Sequence, residues 1–96
     1  MTEVINLREI ILGILMEIIE DEKHSHVVLR ETLEKYQYLE KRDRAFISRT
    51  VEGTLEHLLE LDYIIEQFSS VKVKRMKPAI RNLLRMSVYQ LKYMDS

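Results

Sequence analysis

The chain contains no cysteine. This excludes disulfides, thiolate metal sites and a cysteine nucleophile, and it fits a reducing, cytoplasmic setting. Glycine and proline are scarce, two and one in 96 residues, and Gly13 and Gly53 stand singly rather than in a loop that could cradle phosphates. No long hydrophobic run occurs. The longest, Ile10 to Met16, is broken by Gly13 and followed by Glu17 and Glu20, too short to cross a bilayer core of ~30 Å. Glu3, Arg8 and Glu9 precede it in place of a basic leader with a small-residue cleavage site, so no export signal is read. Histidine is limited to His24, His26 and His57. A His-x-His pair without cysteine or matched acids is not a zinc ligand set, and His24 and His26 are expected to cap or line a turn. His57, among Arg49, Glu56 and Glu60, is expected on the wet side of a helix. The carboxylate pairs Glu17/Glu20 and Glu56/Glu60 lack a neighbouring nucleophile. The sequence therefore predicts no enzyme, no metal and no cofactor.

What is present is apolar periodicity. With 46% apolar and 32% charged residues the chain should fold, as a single domain over 1–96 with a modest core. Leu7, Ile10, Ile11, Ile14, Leu15, Ile18 and Ile19 recur at helical spacing, and Asn6 with Glu9 offers a capping box. The polar run Glu20 to Ser25 ends that helix, and Ser25 is the expected N-cap of a short second one burying Val28, Leu29, Leu33 and Tyr36. A third helix should begin near Lys41 or Arg42 and carry Phe46, Ile47, Val51, Leu55, Leu58 and Leu59. The pattern predicts a break near Leu61 and Asp62, then a short helix through Tyr63, Ile64, Ile65 and Phe68. Pro78 suits the first turn of a last helix carrying Ile80, Leu83, Leu84, Val88 and Leu91. The predicted fold class is all-α, about five packed helices.

Charge is segregated. Residues 1–22 hold one base and six acids, a net of −5, whereas residues 71–92 hold seven bases and no acid, a net of +7. Lys77, Arg81, Arg85 and Tyr89 are spaced by four and Lys92 falls in the same arc, so one helix face gathers cations around an aromatic ring. Guanidinium forks grip phosphate and tyrosine can stack a base, which makes RNA a candidate ligand. The same pattern also describes a solvated helix face whose arginine stems cover apolar surface.

Five local motifs then follow in order: Ser25-His26-x-x-Leu29; Arg42-Asp43-Arg44; Gly53-Thr54-Leu55 with Leu61-Asp62; Leu83-Leu84-Arg85-Met86; and Tyr89-Gln90-Leu91-x-Tyr93-Met94-Asp95. Over about residues 7–95 the chain resembles a NusB-like helical domain, closer to the domain preceding the catalytic part of RsmB/Sun-type ribosomal RNA cytosine-5 methyltransferases than to the free-standing antitermination factor. The resemblance implies a cytoplasmic RNA-binding accessory module with an orthogonal helical bundle. It implies RNA, ribosomal by preference, as the ligand class, for which the basic strip of Lys72, Lys74, Arg75, Lys77, Arg81, Arg85, Tyr89 and Lys92 offers the candidate contacts, with Arg85 alternatively pinning helices together. Arg8 alone matches the basic amino-terminal segment associated with RNA in the antitermination factor. The methyl-donor-binding domain is absent from these residues, and the resemblance further implies a partial domain whose later helices are missing. Leu83, Val88, Leu91 and the Tyr63–Phe68 helix should then be exposed, favouring a protein partner or homo-oligomer. A NusB-type transcription antitermination role is one alternative, and a helical protein-interaction or oligomerisation module without RNA binding is the alternative from another class.

Overall fold

The computed structural model describes residues 6–94, and every regular element among them is helical. Glu3 of the acidic segment and Asp95 of the last motif lie outside that range. Helix α1 spans Leu7–Leu15 and opens as predicted, Oδ1 of Asn6 accepting from the Glu9 amide at 3.1 Å. It continues as a wider π turn, Met16–Glu20, in which the Asp21 amide donates to the Met16 carbonyl. In an unbroken α-helix Glu20, nine residues beyond buried Ile11, would point ~180° away from it, into solvent. The wider turn brings Glu20 round to the inner side, where its side chain is 15% exposed.

Helix α2 spans Ser25–Lys35. Ser25 is its first helical residue rather than its cap; His24 takes the cap position without a side-chain bond. Val28 is buried and Leu29, Leu33 and Tyr36 are half-buried, so α2 leans on the bundle rather than entering it.

Helices α3, Lys41–Glu56, and α4, Leu58–Phe68, are separated at His57, four residues before the predicted break. The apolar spacing through Leu55, Leu58 and Leu59 disguised the junction. The break resets the register so that Leu61 and Ile65 become buried while Leu59 is left 86% exposed. Helix α5, Pro78–Tyr89, has its proline in the first turn and runs on into a second π turn, Gln90–Met94.

Helices α1, α3 and α5 enclose a core of Ile11, Ile14, Leu15, Ile47, Val51 and Met86, joined by Val28 from α2. Helix α4 closes on α5. Where α3 meets α5, the Tyr89 ring occupies the place a Cβ on Gly53 would need. Gly13 has no such reason: nothing lies within 4 Å of where its Cβ would be. Gly13→Ala should therefore stabilise the fold by about 0.5–1 kcal/mol in urea unfolding. A loss of stability would show that the space beside α1 is filled. Among the described residues no helix is long and apolar enough to cross a membrane.

Candidate functional site

The structure divides the nine predicted site residues into two groups. Lys72, Lys74, Arg75 and Lys77 sit together, all exposed, on the turn between α4 and α5. The segment is irregular but well tied. Ser69 Oγ bonds the Val71 backbone at both its amide and its carbonyl, and a 3-10 turn forms over Val73–Arg75. The Glu66 carboxylate accepts from the Val73 amide at 2.9 Å, while the Val73 side chain is 3% exposed. Arg81 Nη1 donates to the carbonyl of Lys74 at 3.3 Å. The turn thus presents four cations on an ordered backbone. Lys72 lies 3.8 Å from Glu66, and no ion pair engages Lys74, Arg75 or Lys77 among the described residues. The amino-terminal end of α5, with its partial positive charge, adjoins them.

The solvated cationic face expected along α5 is corrected for the remaining residues. Arg81 and Arg85 are held inside a polar network that joins three helices. Arg81 grips the Glu20 carboxylate from the π turn after α1 through Nε, at 2.9 Å, and Nη2. Arg85, with its side chain 8% exposed, binds both oxygens of Asp62 on α4, at 2.7 and 2.9 Å. Asn82, fully buried, donates to Glu20 at 2.8 Å and accepts from Arg85 at 2.9 Å. Tyr89 is 7% exposed beneath Gly53. Lys92 pairs with Glu60 at 2.7 Å. Arg8 bonds Gln90, and Ser87 at 2.7 Å, towards the end of α5 remote from the basic turn. Spacing by four places Arg81 and Arg85 on one helix face correctly; it does not reveal that they turn inward, because the acids that receive them, Glu20 and Asp62, are distant in sequence.

His57 is likewise corrected: it is not simply a wet residue of α3. Its ring stacks on Tyr93, with centroids 4.3 Å apart, and Nδ1 lies 3.3 Å from Glu60, which also accepts from the Tyr93 hydroxyl at 2.5 Å. The second π turn supplies Tyr93 to this contact.

The Arg81 hydrogen bond, opposed by burial and reinforced by Asn82, holds the Glu20 carboxyl below the usual carboxylate range. A depressed folded value contributes stability above the unfolded pKa, near 4.5, and that contribution disappears as pH falls through the lower folded value. Stability in urea should consequently drop more steeply between about pH 5 and 3 for the wild-type protein than for Glu20→Gln. Parallel profiles would remove Glu20 from the acid-sensitive contacts.

These features lie in a recognisable sequence frame: the NusB family profile matches residues 5–96. The chain belongs to the NusB family. It is 30% identical over 90 residues to a probable ribosomal RNA small subunit methyltransferase B of Bacillus subtilis, and 29% identical over 91 residues to that of Synechocystis. Those matches cover 94% and 95% of this NusB-family chain but only 20% of each relative. The transcription antitermination protein NusB of Thermodesulfovibrio yellowstonii is 32% identical over 71 residues, covering 68% of the chain and 47% of that protein. The chain thus spans about a fifth of the length of the methyltransferases it matches. No solved structure matches it.

Proposed function

We propose that this NusB-family domain is a non-catalytic RNA-binding accessory module associated with ribosomal RNA modification in the cytoplasm, its RNA held by phosphate contacts from Lys72, Lys74, Arg75 and Lys77. The observation that carries the reading is the ordered turn bearing four exposed cations, three of them without an acid partner among the described residues. Counterion release makes such a site a binder of polyanions in general. The ribosomal RNA named for the two methyltransferase relatives supplies the class of ligand. An antitermination role is supported less, because the acidic amino-terminal segment offers only Arg8 as a base between residues 1 and 22 and Arg8 is engaged by Gln90 and Ser87.

Four phosphates on a single strand should give a log-log salt slope near −3, from about 0.7 per phosphate. The test is fluorescence anisotropy of a labelled single-stranded ribosomal RNA segment across a salt series. The comparison variant carries Lys74→Ala, Arg75→Ala and Lys77→Ala and leaves Arg81 intact to spare the fold. Affinity at low salt should fall by ~10-fold or more with helicity retained. Binding that ignores both salt and these changes would overturn the reading. A second reading, a protein-interaction module, is favoured by one observation: Ile80, Leu83, Leu84 and Leu91 of α5 and its π turn are exposed.

A further inference from the structure

The Lys72–Lys77 turn can hold phosphate but carries no aromatic face for a base. Tyr89, which spacing offers for stacking, is packed beneath Gly53. Single strands are gripped by aromatic rings as well as by cations, because their bases are unpaired and every base has a π-face. Among the described residues three rings are exposed, Tyr38, Tyr63 and Phe68. Tyr63 and Phe68 belong to α4, which the family resemblance leaves for further helices to cover, whereas Tyr38, 68% exposed, stands on the connection between α2 and α3. That connection is ordered. Helix α2 ends at Lys35, and the chain then turns so that the Leu39 amide donates to the Tyr36 carbonyl at 3.0 Å. Leu39 packs against the core and Tyr36 is half-buried, which anchors the turn on either side of Gln37 and Tyr38 and leaves those two in solvent. The Tyr36 ring lies 6.1 Å from that of Tyr38, tilted by 48°, and Lys35 Nζ stands 5.5 Å over the Tyr36 ring. The Tyr38 ring thus has a neighbour that steadies it without covering it.

Charge gathers around the ring. Residues 35–42 hold three bases, Lys35, Lys41 and Arg42, against one acid, Glu40. All three bases are exposed, and among the described residues only Arg42 is ion-paired, with Glu40 at 3.2 Å. An exposed ring flanked by cations lets a single strand stack a base while its phosphates meet positive charge. We propose that Tyr38 is a stacking platform for single-stranded RNA, its ring face taking one unpaired base while Lys35 and Lys41 attract the adjoining backbone. The proposal rests on the RNA reading of the Lys72–Lys77 turn and adds to it the group that meets a base. Stacking on a ring tolerates every base, so this site distinguishes unpaired from paired nucleotides rather than one sequence from another.

The test repeats the anisotropy salt series with the full chain, Tyr38→Ala and Tyr38→Phe, on the labelled single strand and on its duplex. Stacking releases no counterions, so Tyr38→Ala should bind the single strand about 5- to 150-fold more weakly at every salt concentration and keep the wild-type log-log slope. The triple change in the turn should instead make the slope shallower. Tyr38→Phe keeps the ring face and should bind as the wild type does. On the duplex, whose bases are already paired, Tyr38→Ala and the wild type should match. The chain has five tyrosines and no tryptophan, so tyrosine emission reports the contact directly: quenching by the single strand should be largely lost in Tyr38→Phe although its affinity is retained. Equal affinity of Tyr38→Ala and the wild type for the single strand overturns the inference and leaves the phosphate reading in place. So does a loss in Tyr38→Phe as large as that in Tyr38→Ala, since the ring face would then not be what binds. Absence of salt-dependent binding by the wild-type protein removes the phosphate reading itself, and this inference with it.

Discussion

Arg85→Ala is expected to lower stability by about 3–5 kcal/mol, the cost of leaving a buried charge partner uncompensated. Asp62 would lose both of its guanidinium bonds, and Asn82 would lose the donor to its oxygen in a fully buried position. A domain of this size has roughly 5–14 kcal/mol of stability in total, so the variant should unfold at much lower urea than the wild-type protein. The network itself need not be a net source of stability. Replacing Arg85 by Met together with Asp62 by Leu should restore a large part of the loss, because an apolar pair of similar volume avoids desolvating either charge. The measurement is urea unfolding followed by circular dichroism for the three proteins. A loss below about 1 kcal/mol in Arg85→Ala would place the pair among ordinary surface salt bridges and contradict its burial.

The second large effect is expected at Gly53. The same Gly→Ala change that should help at Gly13 should destabilise here by about 1–3 kcal/mol or more, because the added methyl falls on the Tyr89 ring, itself packed at the α3–α5 crossing. The ring cannot simply step aside. Its neighbours include Tyr93, with centroids 5.2 Å apart, and His57, 6.0 Å away. A double-mutant cycle with Tyr89→Ala isolates the clash: once the ring is gone, Gly53→Ala should recover the helix-propensity gain of roughly 1 kcal/mol and change sign. Additive losses would mean that Gly53 is required for something other than room for Tyr89.

Much of the architecture is legible in the amino-acid sequence. Three-and-four spacing located five helices, Asn6 capped the first, and Pro78 opened the last. These are local effects, decided by neighbours within a turn or two. What was not readable depends on partners far away in sequence. The junction at His57 is fixed by Leu61 and Ile65 being drawn into the core and by a ring stack on Tyr93. The inward turn of Arg81 needs Glu20, which a regular helix would have left in solvent, and that of Arg85 needs Asp62 on α4. Exposure of the apolar side of α5 followed from the family resemblance rather than from its periodicity, which reads alike for a buried or an outward stripe. Of the candidate site, the Lys72–Lys77 turn is exposed as its composition suggested, whereas its rigidity rests on Glu66 and Arg81, neither of which carries a motif.

The π turn at Met16–Glu20 also sets how the gene can drift in length. Deleting one residue there would restore regular winding and keep Glu20 on the inner side, whereas inserting one would swing it through ~100° relative to Ile11 and Ile14, stranding Arg81 and Asn82 at once. An insertion in the polar Asp21–His24 connection would have no such leverage over those helices. Single-codon gains should therefore accumulate in the connections of this domain and be purged from a stretch of five residues that, by composition alone, looks like any other piece of helix.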